Sequence, residues 1–164
     1  MSAPRKIQAT CVLELWDREA LPEADRALLE AAHEAVTRAY APYSGFRVGA
    51  ALRLSNGVIV TGTNQENAAY PSGMCAERVA LFHAGSLHPG VAVEALAVAS
   101  DGQAQWDSFS PCGGCRQVIH ESQQRQSGPI RLILQCRDQP VTVAEGIDQY
   151  LPFSFKADGL GVSR

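Results

Sequence analysis

Three cysteines set the strongest constraint on how this chain can fold: Cys75, in Cys75-Ala76-Glu77, and the pair in Pro111-Cys112-Gly113-Gly114-Cys115. Three thiolates converging on one zinc ion leave its fourth tetrahedral position open for a water, whereas a structural zinc is normally closed by four protein ligands. The fold must therefore carry the segment holding Cys75 up to a distant Cys-x-x-Cys. Glu77 then stands beside the open position as a spare carboxylate, and hydrolytic chemistry is the expectation.

A chain of 164 residues is long enough for one well-buried core and short for two, so a single domain over 1–164 is expected. Its 46% apolar and 19% charged residues fit a soluble globular class. Five cysteines is an odd number and two lie in Cys-x-x-Cys, so a secreted disulfide framework is disfavoured and reduced thiols suit the cytosol. Met1 to Thr10 lacks the apolar core of a signal peptide, and no apolar run reaches bilayer length, so a cytoplasmic address and no membrane partner are expected. The net charge of −3, with no basic run beyond Arg5-Lys6, argues against a nucleic-acid partner.

Residues 1–20 read as an N-terminal extension with an extra strand, because Ile7, Ala9, Cys11, Leu13 and Leu15 alternate against mostly polar neighbours. Cys11 and Cys136, both in expected strands, read as small buried hydrophobes. After Pro22, the positions Leu28, Leu29, Ala32, Ala35, Val36 and Ala39 mark one helical face, and Pro42 is expected to end that helix near Ala41. Phe46 to Leu54 alternates, Asn56-Gly57 signals a hairpin, and Val58 to Thr63 returns antiparallel. A helix over about Met74 to Ala84, a strand over Val93 to Ala99, a helix opened by Pro111 and a strand over Ile130 to Cys136 follow. A last short helix is expected from about Val143 to Leu151. This rhythm predicts an α/β domain with a mixed sheet and helices on both faces.

On that layout Cys75 begins one helix, and Cys112 and Cys115 lie in the first turn of another, where unpaired amides and the macrodipole favour anions. Gly113-Gly114 keep side chains out of the way. Three thiolates around a dication leave the site at a formal minus one, which Arg78 is placed to offset by hydrogen-bonding one or two sulfurs. Glu77, unliganded, can accept a water's proton and pass it on. A lone Cys-x-x-Cys is equally the mark of a redox pair or a zinc knuckle. Cys-x-Glu upstream of Pro-Cys-x-x-Cys instead matches a zinc deaminase signature, with Cys in place of its usual first His.

The chain resembles the small, homotetrameric cytidine deaminases over nearly all of residues 23–155. Beyond the zinc residues the resemblance rests on Ala41-Pro42-Tyr43-Ser44-Gly45-Phe46-Arg47-Val48-Gly49-Ala50, on Asn64-Gln65-Glu66-Asn67-Ala68-Ala69-Tyr70-Pro71, and on Cys75-Ala76-Glu77-Arg78 and Cys115-Arg116-Gln117-Val118. It implies a three-layer α/β/α sandwich, one Zn2+ per subunit held by Cys75, Cys112 and Cys115, and Glu77 as proton shuttle. Asn64 and Glu66 match positions that bond the ribose 3′-hydroxyl, Phe46 the aromatic stacked on the pyrimidine, and the Ala76 amide a contact to the base carbonyl. Phe155, in Leu151-Pro152-Phe153-Ser154-Phe155, matches an aromatic that reaches over a neighbouring subunit's substrate, and Tyr70 lines an adjacent site. The implied reaction converts cytidine and 2′-deoxycytidine to uridine and 2′-deoxyuridine with loss of ammonia, in pyrimidine salvage.

The sequence departs from this pattern in the leader before the first matched helix and in Gln65, where a small apolar residue is frequent. Taken alone, Phe46 reads as a core residue of its strand, Asn64 and Glu66 as a solvated strand end, and Phe155 as a chain-end anchor. Two other readings stand beside the resemblance: a deaminase of a modified aminopyrimidine, which has no need of Asn64 and Glu66, and a zinc-stabilised binding module, which has no need of Glu77. Trp16 and Trp106 read as packing residues, and His33, His83, His88 and His120 show no metal-site spacing.

Overall fold

The computed structural model describes residues 4–160. Its spine is a six-stranded sheet in the order β1-β6-β5-β4-β2-β3, from Glu14–Trp16 (β1), Val48–Leu54 (β2), Ile59–Thr63 (β3), Val93–Ser100 (β4), Arg131–Cys136 (β5) and Val141–Glu145 (β6). β4 and β5 run parallel; every other neighbouring pair is antiparallel. Glu23–Val36 (α1) covers one face, and Ala76–Leu87 (α2) with Gly113–Gln124 (α3) covers the other, giving a three-layer α/β/α sandwich. No helix among the described residues is long and apolar enough to cross a membrane.

The two layers of core differ in side-chain size. Toward α1 the sheet presents Ala51, Ala95, Ala97 and Ala99, against Leu28, Leu29, Ala32 and Val36. Toward α2 and α3 it presents Leu52, Leu54, Leu96, Val98, Leu132 and Leu134. The alternation of β2 therefore separates two buried faces, not a wet face from a dry one. Small residues let the helices approach closely, and two glycines mark the closest approaches. A Cβ on Gly49 would come within 2.6 Å of the Val36 amide nitrogen, and one on Gly62 within 2.7 Å of the Ala76 carbonyl oxygen. At the first turn of α1 the buried Asp25 ties three elements together, accepting from Arg53 of β2 at 3.1 Å and from Arg131 of β5 at 2.8 Å.

Several elements differ from expectation. The first strand is only Glu14–Trp16, an edge strand on β6, while Ile7, Val12 and Cys11 are exposed, because upstream of Glu14 the chain has no strand to pair with. Cys136 is buried as expected, bonding Gly102 O. Helix α1 stops at Val36, not Ala41: the backbone of Tyr40 pairs instead with Asn64 and Glu66, at 3.1 and 2.9 Å. The expected helix from Val143 to Leu151 is strand β6, followed by a 3-10 turn at Ile147–Gln149. Its β-branched Val141-Thr142-Val143 pairs back on β5 through a turn in which Arg137 has φ 50°, and Val141 through Ala144 are all buried.

Gly62 sets how close α2 lies to β3. Gly62→Ala should lower unfolding stability by about 1–3 kcal/mol through overpacking, read as a fall in urea midpoint at constant m-value. A wild-type midpoint would show that α2 can move away freely.

Candidate active site

Cys75 is the N-cap of α2 and Cys112 the N-cap of α3, with Cys115 in the first turn of α3. The parallel pairing of β4 with β5 is what aims these helices. Both start at the sheet end where β4 and β5 finish, and the cavity they overlook is floored by Val48, Val98 and Leu134 from β2, β4 and β5. Ligand sites in α/β sheets form at such carboxyl ends.

The three sulfurs lie within 4.8 Å of one another, and they are the one such cluster of His, Cys, Asp and Glu found among the described residues. Cys75 Sγ and Cys112 Sγ are 3.8 Å apart. A tetrahedral zinc with Zn–S bonds of about 2.3 Å has sulfur-to-sulfur edges of roughly 3.8 Å, so the donor set fits zinc in kind and in spacing. A hydrogen bond from Cys115, with another from Arg78, holds the Cys75 thiol down at about 5, while Cys115 is pushed up by giving that bond and by burial. Arg78 Nη2 stands 3.7 Å from Cys75 Sγ, one of the sulfurs it was expected to bond.

Glu77 follows in the first turn of α2 and is 5% exposed. Burial pushes its carboxyl above the usual carboxylate range; its own backbone amide opposes this, and the Cys75 thiolate adds to it. Ala76 is buried at the start of the same helix. The cavity above them measures about 250 Å³ and brings together Phe46, Asn64, Cys75, Ala76, Glu77 and Cys112. It opens, past Asn64, Cys75 and Cys112, into a broader cleft of about 750 Å³ that carries Glu66, Tyr70 and Arg78. A third cavity, of about 240 Å³, lies between the last turns of α2 and α3 and holds none of the residues expected at the site.

Phe46 lies just before β2, not within it, and its ring sits 6.4 Å from that of Phe109 at 49°. Asn64 Oδ1 accepts from the Val48 amide at 2.8 Å and its Nδ2 donates to Phe46 O at 2.9 Å. Glu66 accepts from the Tyr43 and Ser44 amides at 2.9 and 3.2 Å and from the Ser44 hydroxyl, bonds that hold its carboxyl below the usual range. Both residues are fixed by backbone pairing of 64–66 to Tyr40 on one side and Met74 on the other. Tyr70 is 90% exposed on the cleft rim, and Phe155, 68% exposed, lines neither cavity. Phe109 and the loop residues Ala104, Ser108 and Ser110 also line the inner cavity and were not anticipated. The signal for Phe109 was its place just upstream of Pro111-Cys112, since a segment leading directly into a ligand must pass the site.

The model of the cytidine and deoxycytidylate deaminase zinc-binding region matches residues 22–127. The chain belongs to this family. Among its relatives, the cytidine deaminase of Halalkalibacterium halodurans is 40% identical over 81% of this chain and 95% of its own length. That of Mycobacterium tuberculosis is 36% identical over 85% and 96%. Among solved structures, the cytidine deaminase from Burkholderia pseudomallei superimposes with a TM-score of 0.70 at 38% identity, over 82% of this chain and 100% of that one. The family is a zinc-binding one, and the Cys75, Cys112 and Cys115 sulfurs supply the matching donor set.

Chelation should release one zinc per chain and lower stability by about 4 kcal/mol relative to protein in free zinc at 1,000 times Kd. That corresponds to a Tm shift on the order of 10 °C, measured by scanning calorimetry with metal analysis. An unchanged Tm would show that the cluster does not hold the ion.

Proposed function

We propose that the zinc-dependent hydrolytic deamination of cytidine, to which membership of this family assigns the chain, takes place in the inner cavity with Glu77 as its proton carrier, and that 2′-deoxycytidine is accepted as well. The observation that carries this reading is the position of a buried carboxyl beside the three-sulfur cluster, at the floor of a cavity walled by Phe46 and Phe109. Cys75, Cys112 and Cys115 would hold zinc, which when bound would supply Lewis acidity that lowers the pKa of a water.

Glu77 takes the proton released as water adds to C4 of the base and delivers it to N3. It then moves a second proton to the exocyclic nitrogen, so that the C4–N bond breaks and ammonia leaves. Water and cytidine are consumed; uridine and ammonia are formed. A carboxyl raised by burial suits a group that must both accept and return a proton. Phe46 and Phe109 offer the apolar walls a flat base requires, and the Ala76 amide, at an uncapped helix start, is free to donate to the base carbonyl.

Asn64 and Glu66 receive the sugar. Each already holds a protein backbone group, yet Asn64 keeps a second amide hydrogen and Glu66 an unused lone pair on Oε1. Their partner is the 3′-hydroxyl, which ribose and deoxyribose share, so the pair does not separate the two nucleosides. Among the described residues no Lys or Arg lines the inner cavity, and Arg78 in the cleft is directed to Cys75, which favours a nucleoside over a 5′-nucleotide. Tyr70 and Phe155 fit a homotetramer in which each completes a neighbour's pocket, since both aromatics are left in water on the isolated chain. A cytoplasmic pyrimidine-salvage role completes the reading.

Glu77→Gln should retain zinc and fold while turnover of cytidine falls by at least about 100-fold, followed as uridine and ammonia release. Near-normal turnover would overturn the assignment. Phe155→Ala should raise KM with little change in kcat, while sizing still reports a tetramer; an unchanged KM would remove Phe155 from the site.

A further inference from the structure

Arg116, directly after Cys115, is occupied in three directions at once. Its Nε donates to Pro111 O at 2.7 Å, its Nη2 to Ser110 Oγ at 2.9 Å and its Nη1 to Tyr150 O at 3.0 Å. Its guanidinium also lies over the Tyr150 ring, 5.6 Å from the centroid. Arg116 itself bonds no sulfur and lines neither cavity of the site, although its partners Ser110 and Pro111 line the inner one. Pro111 O belongs to the peptide that enters Cys112, so one planar fork fixes the carbonyl just ahead of a metal ligand and ties it to the start of the C-terminal segment. The next residue continues the connection, since Gln117 Nε2 donates to Phe155 O at 3.1 Å.

We propose that Arg116 is the positioning residue that sets Cys112 in place for the metal and locks the C-terminal segment to the same turn of α3. This inference rests on the assignment of Cys112 as a zinc ligand. Backbone carbonyls held from behind a ligand act as the outer shell of a metal site, and losing such a partner typically costs about 10–100-fold in metal affinity. What matters is the fork and not the charge. A lysine keeps the cation but cannot satisfy three acceptors in one plane, so it should not substitute.

The test compares Arg116→Gln, Arg116→Lys and Gln117→Ala in the full chain, with zinc affinity read by chelator competition and amide hydrogen exchange read over residues 150–155. Both Arg116 variants should bind zinc about 10–100-fold more weakly and exchange faster over that segment. Gln117→Ala should quicken exchange near Phe155 while keeping wild-type zinc affinity. Wild-type zinc affinity in Arg116→Gln overturns the proposal, as does full restoration by lysine, which would make the charge the active element. Wild-type protein that holds no zinc would instead overturn the ligand assignment itself, whatever the variants do. If Arg116→Gln does not fold, Arg116→Lys alone decides, since weakened zinc binding in a folded lysine variant is the predicted result and wild-type binding the contrary one.

Discussion

Two helix N-termini aimed at one point are the constraint that the rest of the molecule serves. Cys75 and Cys112 occupy N-cap positions without any side-chain capping bond, so the sulfurs stand where the orphan amides and the positive ends of α2 and α3 converge. Gathering three thiols within 4.8 Å would otherwise be unfavourable once they ionise. The parallel β4 and β5 pair, with α3 crossing between them, brings α3 to the same sheet end as α2. The alanines of β2 and β4 then let α1 lie close there, beside Ile133, Val141 and Val143 of β5 and β6, while α2 and α3 cover leucines and valines.

The polar residues of the site are structural before they touch any substrate. Asn64 bridges the Phe46 carbonyl and the Val48 amide, so the residue expected at the sugar also holds the aromatic expected at the base. Glu66 does the same for the turn at Tyr43 and Ser44, whose hydroxyl in turn accepts from the Phe46 amide at 3.0 Å. Removing Asn64 leaves the partly buried Val48 amide and Phe46 carbonyl unpaired, a loss of about 1–3 kcal/mol per buried group. Under the proposed sugar contact, mutations at Asn64 would act on KM and on stability together.

How much of this was legible in the sequence followed from how local each signal was. The Asn56-Gly57 hairpin, the α2 and α3 starts and the cysteine triad are written in contiguous residues, and all stand where expected. The end of α1 was not local. Its register favours helix through Ala39, but the Tyr40 backbone is claimed by Asn64 and Glu66, a pairing visible only after folding. β6 was missed because the alternation Val141-Thr142-Val143 is short and runs straight into Ala144-Glu145, which has helical propensity. The leader erred in the other direction: alternation from Ile7 to Leu15 met only three residues of β6 to pair with. Phe109 had no periodic pattern, its one signal being its place just upstream of Pro111-Cys112 on the loop's path past the cluster.

Glu77 shows why the site reads so clearly despite these gaps. A carboxyl that is 5% exposed and raised by desolvation works against stability, and the neighbouring thiolate raises it further. A sequence optimised for folding alone would place an apolar residue in that turn of α2, as it does at Ala76 and Ala80 on the same buried face. Local rules are broken where function requires it. The violation here is a single acidic residue two positions after Cys75, beside the three-sulfur cluster, where the proposed mechanism gives it a proton to carry.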